Sequence, residues 1–251
     1  MTPLDQAHAA MEANPADDAA RLRFFELFAS TELFVLLEEQ TEAPRLFDTA
    51  DGQFLLAFDT EARLSGFAGG PADYAALSGR AIAEMIGAQN VGVGFNLEVA
   101  PSSFLIPAGG VAWLSDVLST QPQEVSAVPE EFTPPAGLPE ALLTSLDERL
   151  AAAEGLARLA YLVGVTYRGG RRGHLLAIID AAPEAQSSLS RAISDALSFA
   201  DIAAGELDVA FLAASDPVSA KLTKVGLRFD LPEPVKPTMP KPDPTKPPKL
   251  R

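Results

Sequence analysis

Proline removes a backbone donor and fixes φ, so a dense run of it belongs neither to a helix interior nor to a central strand. This chain concentrates proline in two segments. Residues 121–139 read QPQEVSAVPEEFTPPAGLP, and residues 232–251 read PEPVKPTMPKPDPTKPPKLR. Neither shows helical or alternating apolar spacing, so both read as non-core chain. They divide the sequence into a first block over 4–120, a linker over 121–138, a second block over 139–231 and a tail over 232–251. The tail is expected to be disordered, with extended polyproline character. It carries Lys236, Lys241, Lys246, Lys249 and Arg251 against Glu233 and Asp243, so it is basic.

Within the first block, the spacing of Leu22, Phe25, Phe28 and Ala29 predicts a helix from Ala16 to Ser30. The apolar run from Glu32 to Glu38 predicts a buried strand. Arg45 to Asp48 and Gln53 to Phe58 flank Thr49-Ala50-Asp51-Gly52, a hairpin signal. Thr60 and Ser78 stand where capping residues start short helices, ending near Phe67 and Ile86, with a loop between them. Val91 to Phe95 and Ser102 to Ile106 read as strands, and a helix follows from Pro107 to Leu118. The second block gives a helix at Pro139 to Ala153, strands at Leu159 to Tyr167 and His174 to Asp180, and a helix at Pro183 to Ala200. A strand at Leu207 to Ala213, a helix at Pro217 to Val225 and a strand at Leu227 to Leu231 complete it. The order predicts an α+β fold: two small mixed domains, each a sheet with helices packed on it.

Several functions are disfavoured by composition. There is no cysteine, so no disulfide, thiolate nucleophile or thiolate metal site exists. His8 and His174 are the only histidines, which leaves no multi-histidine metal site and little scope for imidazole catalysis. No cofactor and no metal are expected. The formal net charge of -15 repels phosphate backbones and anionic bilayers, so neither nucleic acid nor membrane is an expected partner. The N-terminus lacks the basic segment and apolar core of a signal peptide, and cytoplasmic location is the expectation. Gly92 and Gly94 lie in a strand without the third glycine of a dinucleotide fingerprint, so they read as sites of close backbone approach.

The stretch from Asp51 to Met85 holds the most distinctive local pattern. Its charges, with the following strand end, give the candidate binding surface: Asp59, Arg63, Tyr74, Arg80 and Asn96. Loops after strands converge there. Arg168, Arg171 and Arg172, in a glycine-rich turn, form a secondary candidate for holding a carboxylate or phosphate. In both places ordinary ion pairing and solvated turn residues explain the same charges.

Read in order, Asp51-Gly52, Phe54 to Phe58, Asp59-Thr60-Glu61, Arg63-Leu64, Phe67, Tyr74, Leu77, Gly79-Arg80, Glu84-Met85 and Phe95-Asn96 resemble the N-terminal domain of the SseB family. Leu97-Glu98 stands where that family has a proline-glycine turn. Ala160-Tyr161-Leu162 followed by His174-Leu175-Leu176 is similar to the SseB C-terminal domain, without the aromatic motif at its end. The resemblance implies a two-domain bacterial cytosolic protein linked to serine sensitivity, with no catalytic residues. The expectation is a non-enzymatic interaction or regulatory module with an unidentified protein partner, homo-oligomerisation remaining open. The alternative is a small-molecule binder, for an anion or metabolite, or an enzyme built on carboxylates and arginines.

Overall fold

The computed structural model describes residues 1–38, 43–50, 52–119, 127–200 and 207–232. The hairpin residue Asp51, the start of the expected linker and all but Pro232 of the expected tail lie outside them. The fold is α+β with two mixed sheets.

The chain opens with a helix the periodicity did not indicate, α1 (Pro3–Ala13). Thr2 caps it, Pro3 occupies the first turn and Asp5 closes a capping box. Helix α2 (Asp18–Ser30) starts at Asp17, whose carboxylate accepts from the Ala19 and Ala20 amides. Strand β1 (Glu32–Leu36), hairpin strands β2 (Leu46–Thr49) and β3 (Gly52–Phe58), helix α3 (Glu61–Ala68) and helix α4 (Gly79–Ile86) follow the expected order. Thr60 and Ser78 cap the two helices through their hydroxyls. Gly69 ends α3 at φ 75, a left-handed backbone that glycine adopts without steric cost. Between these helices the expected loop is instead strand β4 (Tyr74–Ser78). Its alanines have low strand propensity, but regular pairing with β1 from Leu36↔Tyr74 to Glu32↔Ser78 overrides that. Strands β5 (Val91–Phe95) and β6 (Phe104–Ile106) and helix α5 (Ala108–Ser119) complete the block.

The first sheet runs β4-β1-β3-β5-β6, with β2 pairing β3 beyond the end of β1. Only β3 and β5 are parallel. Alternation along β3 sorts its side chains. Leu55 and Ala57 join a core beneath α1, α2, α4 and α5, while Leu56 and Phe58 join a second cluster with Leu64 of α3. A Cβ at Gly92 would lie 2.5 Å from the Phe54 ring, and one at Gly94 would lie 2.7 Å from Leu56, so both glycines permit close sheet packing.

The second block begins inside the expected linker. Strand β7 (Pro129–Thr133) pairs with β8 (Leu159–Tyr167). Proline at its first position and on a sheet edge removes no ladder bond the interior needs. Helix α6 (Glu140–Ala152) and strand β9 (Arg172–Ile179) come next. A 3-10 turn (Pro183–Ala185) leads into helix α7 (Gln186–Phe199), then β10 (Leu207–Leu212), α8 (Pro217–Val225) and β11 (Leu227–Asp230). The sheet runs β10-β9-β8-β11, and only β10 and β9 are parallel. Ala160 and Leu162 of β8 face α6 and α7, while Tyr161, Val163 and Val165 face α8.

The helical layers of the two blocks pack on each other. Phe199 of α7 is 5% exposed and joins the first block's core, a burial that contributes about 2 kcal/mol. Glu26 of α2 is buried and accepts from Arg23 at 2.8 Å, from Arg149 of α6 at 3.1 Å and from the Ser145 hydroxyl. Arg23 also reaches Glu148. A buried carboxylate between two guanidiniums makes the interface specific, because leaving any member unpaired is costly. Glu26→Gln, which keeps a carbonyl acceptor and drops the charge, is expected to destabilise the chain by about 1–2 kcal/mol. Urea denaturation measures this; an unchanged midpoint would mean that the halves do not depend on this contact.

Candidate functional site

The ends of β3 and β5 and the start of α1 meet at one buried polar network. Arg63, in the first turn of α3, donates from Nη1 to Asp59 Oδ1 and from Nη2 to Asp5 Oδ2, each at 2.6 Å. The Thr2 hydroxyl donates to Asp59 Oδ2 at 2.6 Å and accepts from the Asp5 amide at 3.2 Å. The Thr2 amide donates to Asp5 Oδ2 at 2.9 Å. Asn96 takes a left-handed backbone, φ 49, that asparagine tolerates better than most residues. This places its Oδ1 to accept from the Asp59 amide at 3.2 Å and its Nδ2 to donate to Ser102 Oγ at 2.9 Å. Ser102 in turn donates to Asp5 Oδ1 at 2.6 Å. Asn96 and Ser102 are fully buried, and the Asp5 and Asp59 side chains are 1–2% exposed.

This arrangement suits anchoring better than proton transfer. Burial alone pushes the Asp5 carboxyl up. Hydrogen bonds from Arg63, Ser102 and the Thr2 amide, with the Arg63 charge, outweigh burial and hold that carboxyl well below the usual carboxylate range. It therefore has no proton to give near neutral pH, and the guanidinium has none to lose. Ser102 has a carboxylate beside it but no exposed face for a substrate. Because the folded-state pKa of Asp5 lies below its unfolded value, the group contributes stability that is present above about pH 4 and lost as pH falls toward the folded pKa. Asp5→Asn is expected to flatten the dependence of the urea midpoint on pH below about pH 4. An unchanged slope would place the acid sensitivity elsewhere.

Of the five residues proposed from sequence, the structure thus joins Asp59, Arg63 and Asn96. Tyr74 and Arg80 lie apart from them. Tyr74, on β4, is 40% exposed and sets its ring edge-on to Phe34 at 5.3 Å. The neighbouring Glu61 carboxylate raises its hydroxyl pKa, with burial and Glu32 adding to the shift. Arg80 turns to the interface between the blocks. It donates to the Leu118 carbonyl at 2.8 Å, pairs with Glu84 at 3.0 Å and pairs with Asp195 of α7. Burial pushes the Asp195 carboxyl up against the pull of Arg80.

The arginine turn is also engaged within the chain. Arg171 pairs with Asp208 at 2.7 Å and stacks over the Tyr167 ring at 4.1 Å. Arg168 approaches Glu130 at 3.5 Å, and Arg172 is exposed at the start of β9. Both histidines are structural: His174 Nε2 lies 3.0 Å from the Ala136 carbonyl, and His8 sits edge-on to Phe24 and Phe104. Among the described residues no group of acids and histidines has the geometry to hold a metal ion, and no helix is long and apolar enough to cross a membrane.

Thr2, Asp5 and Ser102 are members of the network that the local sequence reading missed. Thr2-Pro3-x-Asp5 is a helix-start signature and does announce two of them. Ser102 carries no such signal. Two grooves lie away from this network. One, of about 460 Å³, is lined by Leu36, Phe47, Phe67 and Asp73 among others. Another, of about 400 Å³, lies between residues 135–138 and 225–227.

No curated protein and no solved structure matches this chain. Residues 4–113 match the family described as SseB protein N-terminal domain, a span that takes in all of α1 but Pro3, the first sheet and every member of the network except Thr2. Over residues 4–113 the first block of this chain is thus similar to SseB N-terminal domains.

Proposed function

We propose that this chain is a non-enzymatic protein-interaction or regulatory module acting in the bacterial cytosol. One observation carries the reading. Asp5, Asp59 and Arg63, the charges at the centre of the candidate site, are saturated by one another inside the fold, whereas the sheet edge at Tyr74 stays exposed. The acidic surface favours basic partners over nucleic acid or anionic membranes. On the same reading, the second block serves as an SseB-type C-terminal domain and the module acts in serine sensitivity.

The test is recovery of the intact, tagged chain from its own cells after crosslinking in place. A protein partner at fixed stoichiometry is expected. Appreciable turnover of any metabolite by the purified chain, abolished by Asp59→Asn in a variant that remains folded, would overturn the proposal.

A further inference from the structure

We infer that β4 is a docking edge for an extended, basic segment of another protein, which adds to the first sheet as a further strand. This rests on the interaction reading above and names its partner chemistry. The backbone pattern selects the edge. Leu37 donates to the Asp73 carbonyl at 3.0 Å, and Gly79 donates to the Thr31 carbonyl at 3.1 Å. In an antiparallel pair such bonded positions alternate, so residues 73, 75, 77 and 79 turn their peptide groups toward β1. The N–H and C=O of Tyr74 and Ala76, and the N–H of Ser78, then point away from the sheet.

Natural sheets guard such edges with lysine, proline, bulges or inward charges. β4 has none of these: it is Tyr-Ala-Ala-Leu-Ser in unbroken register, with Tyr74 and Ala76 exposed. Other edges are guarded or short. β7 begins with Pro129 and two glutamates, β10 carries Asp208, and β6 has three residues before Pro107.

Charge selects the occupant. Exposed Glu32 on β1, Glu61 at the start of α3 and Asp73 border the edge. A second copy of this chain, with a net charge of -15, would bring like charges together. A strand with lysine or arginine at alternate positions would meet opposite charges and gain main-chain bonds as well.

The experiment is selection of a phage-displayed random peptide library on the intact chain. Enriched peptides are expected to alternate β-branched or aromatic residues with lysine or arginine. An enriched peptide should bind at least tenfold more weakly to Ala76→Pro, which removes an outward N–H and no β1–β4 bond. It should weaken similarly with the Glu32→Lys, Glu61→Lys double variant, which leaves the strand intact. Amide exchange at Tyr74 and Ala76 should slow when the peptide is bound. Absence of enrichment, or self-association of the chain that Ala76→Pro abolishes, overturns the inference. Peptides that bind but ignore both sets of substitutions also overturn it while leaving the interaction reading intact; that reading falls only to substrate turnover.

Discussion

Arg63→Met is expected to lower the stability of the chain by about 3–5 kcal/mol, the range seen when one partner of a buried ion cluster is removed. The reason is what stays behind. Asp5 and Asp59 are nearly inaccessible to water, and Arg63 is the single cation that both hydrogen-bond in the network. Without it two carboxylates face each other, held by hydroxyls and amides alone. Methionine fills much of the aliphatic volume, so the loss reports charge rather than packing. The effect should shrink in acid, where Asp5 takes up a proton. Urea denaturation at neutral pH measures it, and a loss below about 1 kcal/mol would mean that solvent reaches the cluster and compensates it.

Gly79→Ala should destabilise by about 3 kcal/mol or more, near the upper end of ordinary overpacking, and nearly as much as Gly79→Val. Alanine normally improves on glycine within a helix by about 1 kcal/mol, so the sign alone is diagnostic. A Cβ at Gly79 would sit 2.0 Å from the Phe28 carbonyl oxygen and 2.7 Å from its carbon. Those are backbone atoms at the end of α2 and cannot rotate away. The contact exists because the Gly79 amide donates to the Thr31 carbonyl, drawing the start of α4 against the end of α2. A neutral or stabilising Gly79→Ala would show that α4 can slide from α2 at little cost.

Local chemistry made much of this fold legible. Thr60 and Ser78 are capping residues, and each caps its helix. The hairpin follows from the Asp-Gly signal between two short strand-like runs. β4 escaped because its alanines carry no strand signal and pairing with β1 decides its state. β7 escaped because prolines and glutamates suit a linker as well as they suit an edge strand. The candidate site divides in the same way. Asp59 and Arg63 lie four residues apart across a capped helix start, a spacing that brings them together. Asp5 reaches Arg63 only through tertiary folding, across 58 residues, and Ser102 joins through Asp5, across 97. Arg80 and Glu26 look like helix-surface charges until the second block covers them.

The most direct measurement replaces the whole cluster with neutral side chains. The Asp5→Asn, Asp59→Asn, Arg63→Met triple variant leaves no buried charge unpaired, so it should recover most of the stability that Arg63→Met alone loses. Once it is folded, partner recovery by this variant can be compared with that of the unaltered chain. The same protein at the same stoichiometry is expected, because these groups hold the sheet and do not touch the partner. A folded triple variant that no longer recovers the partner would show that the charges themselves are the binding site.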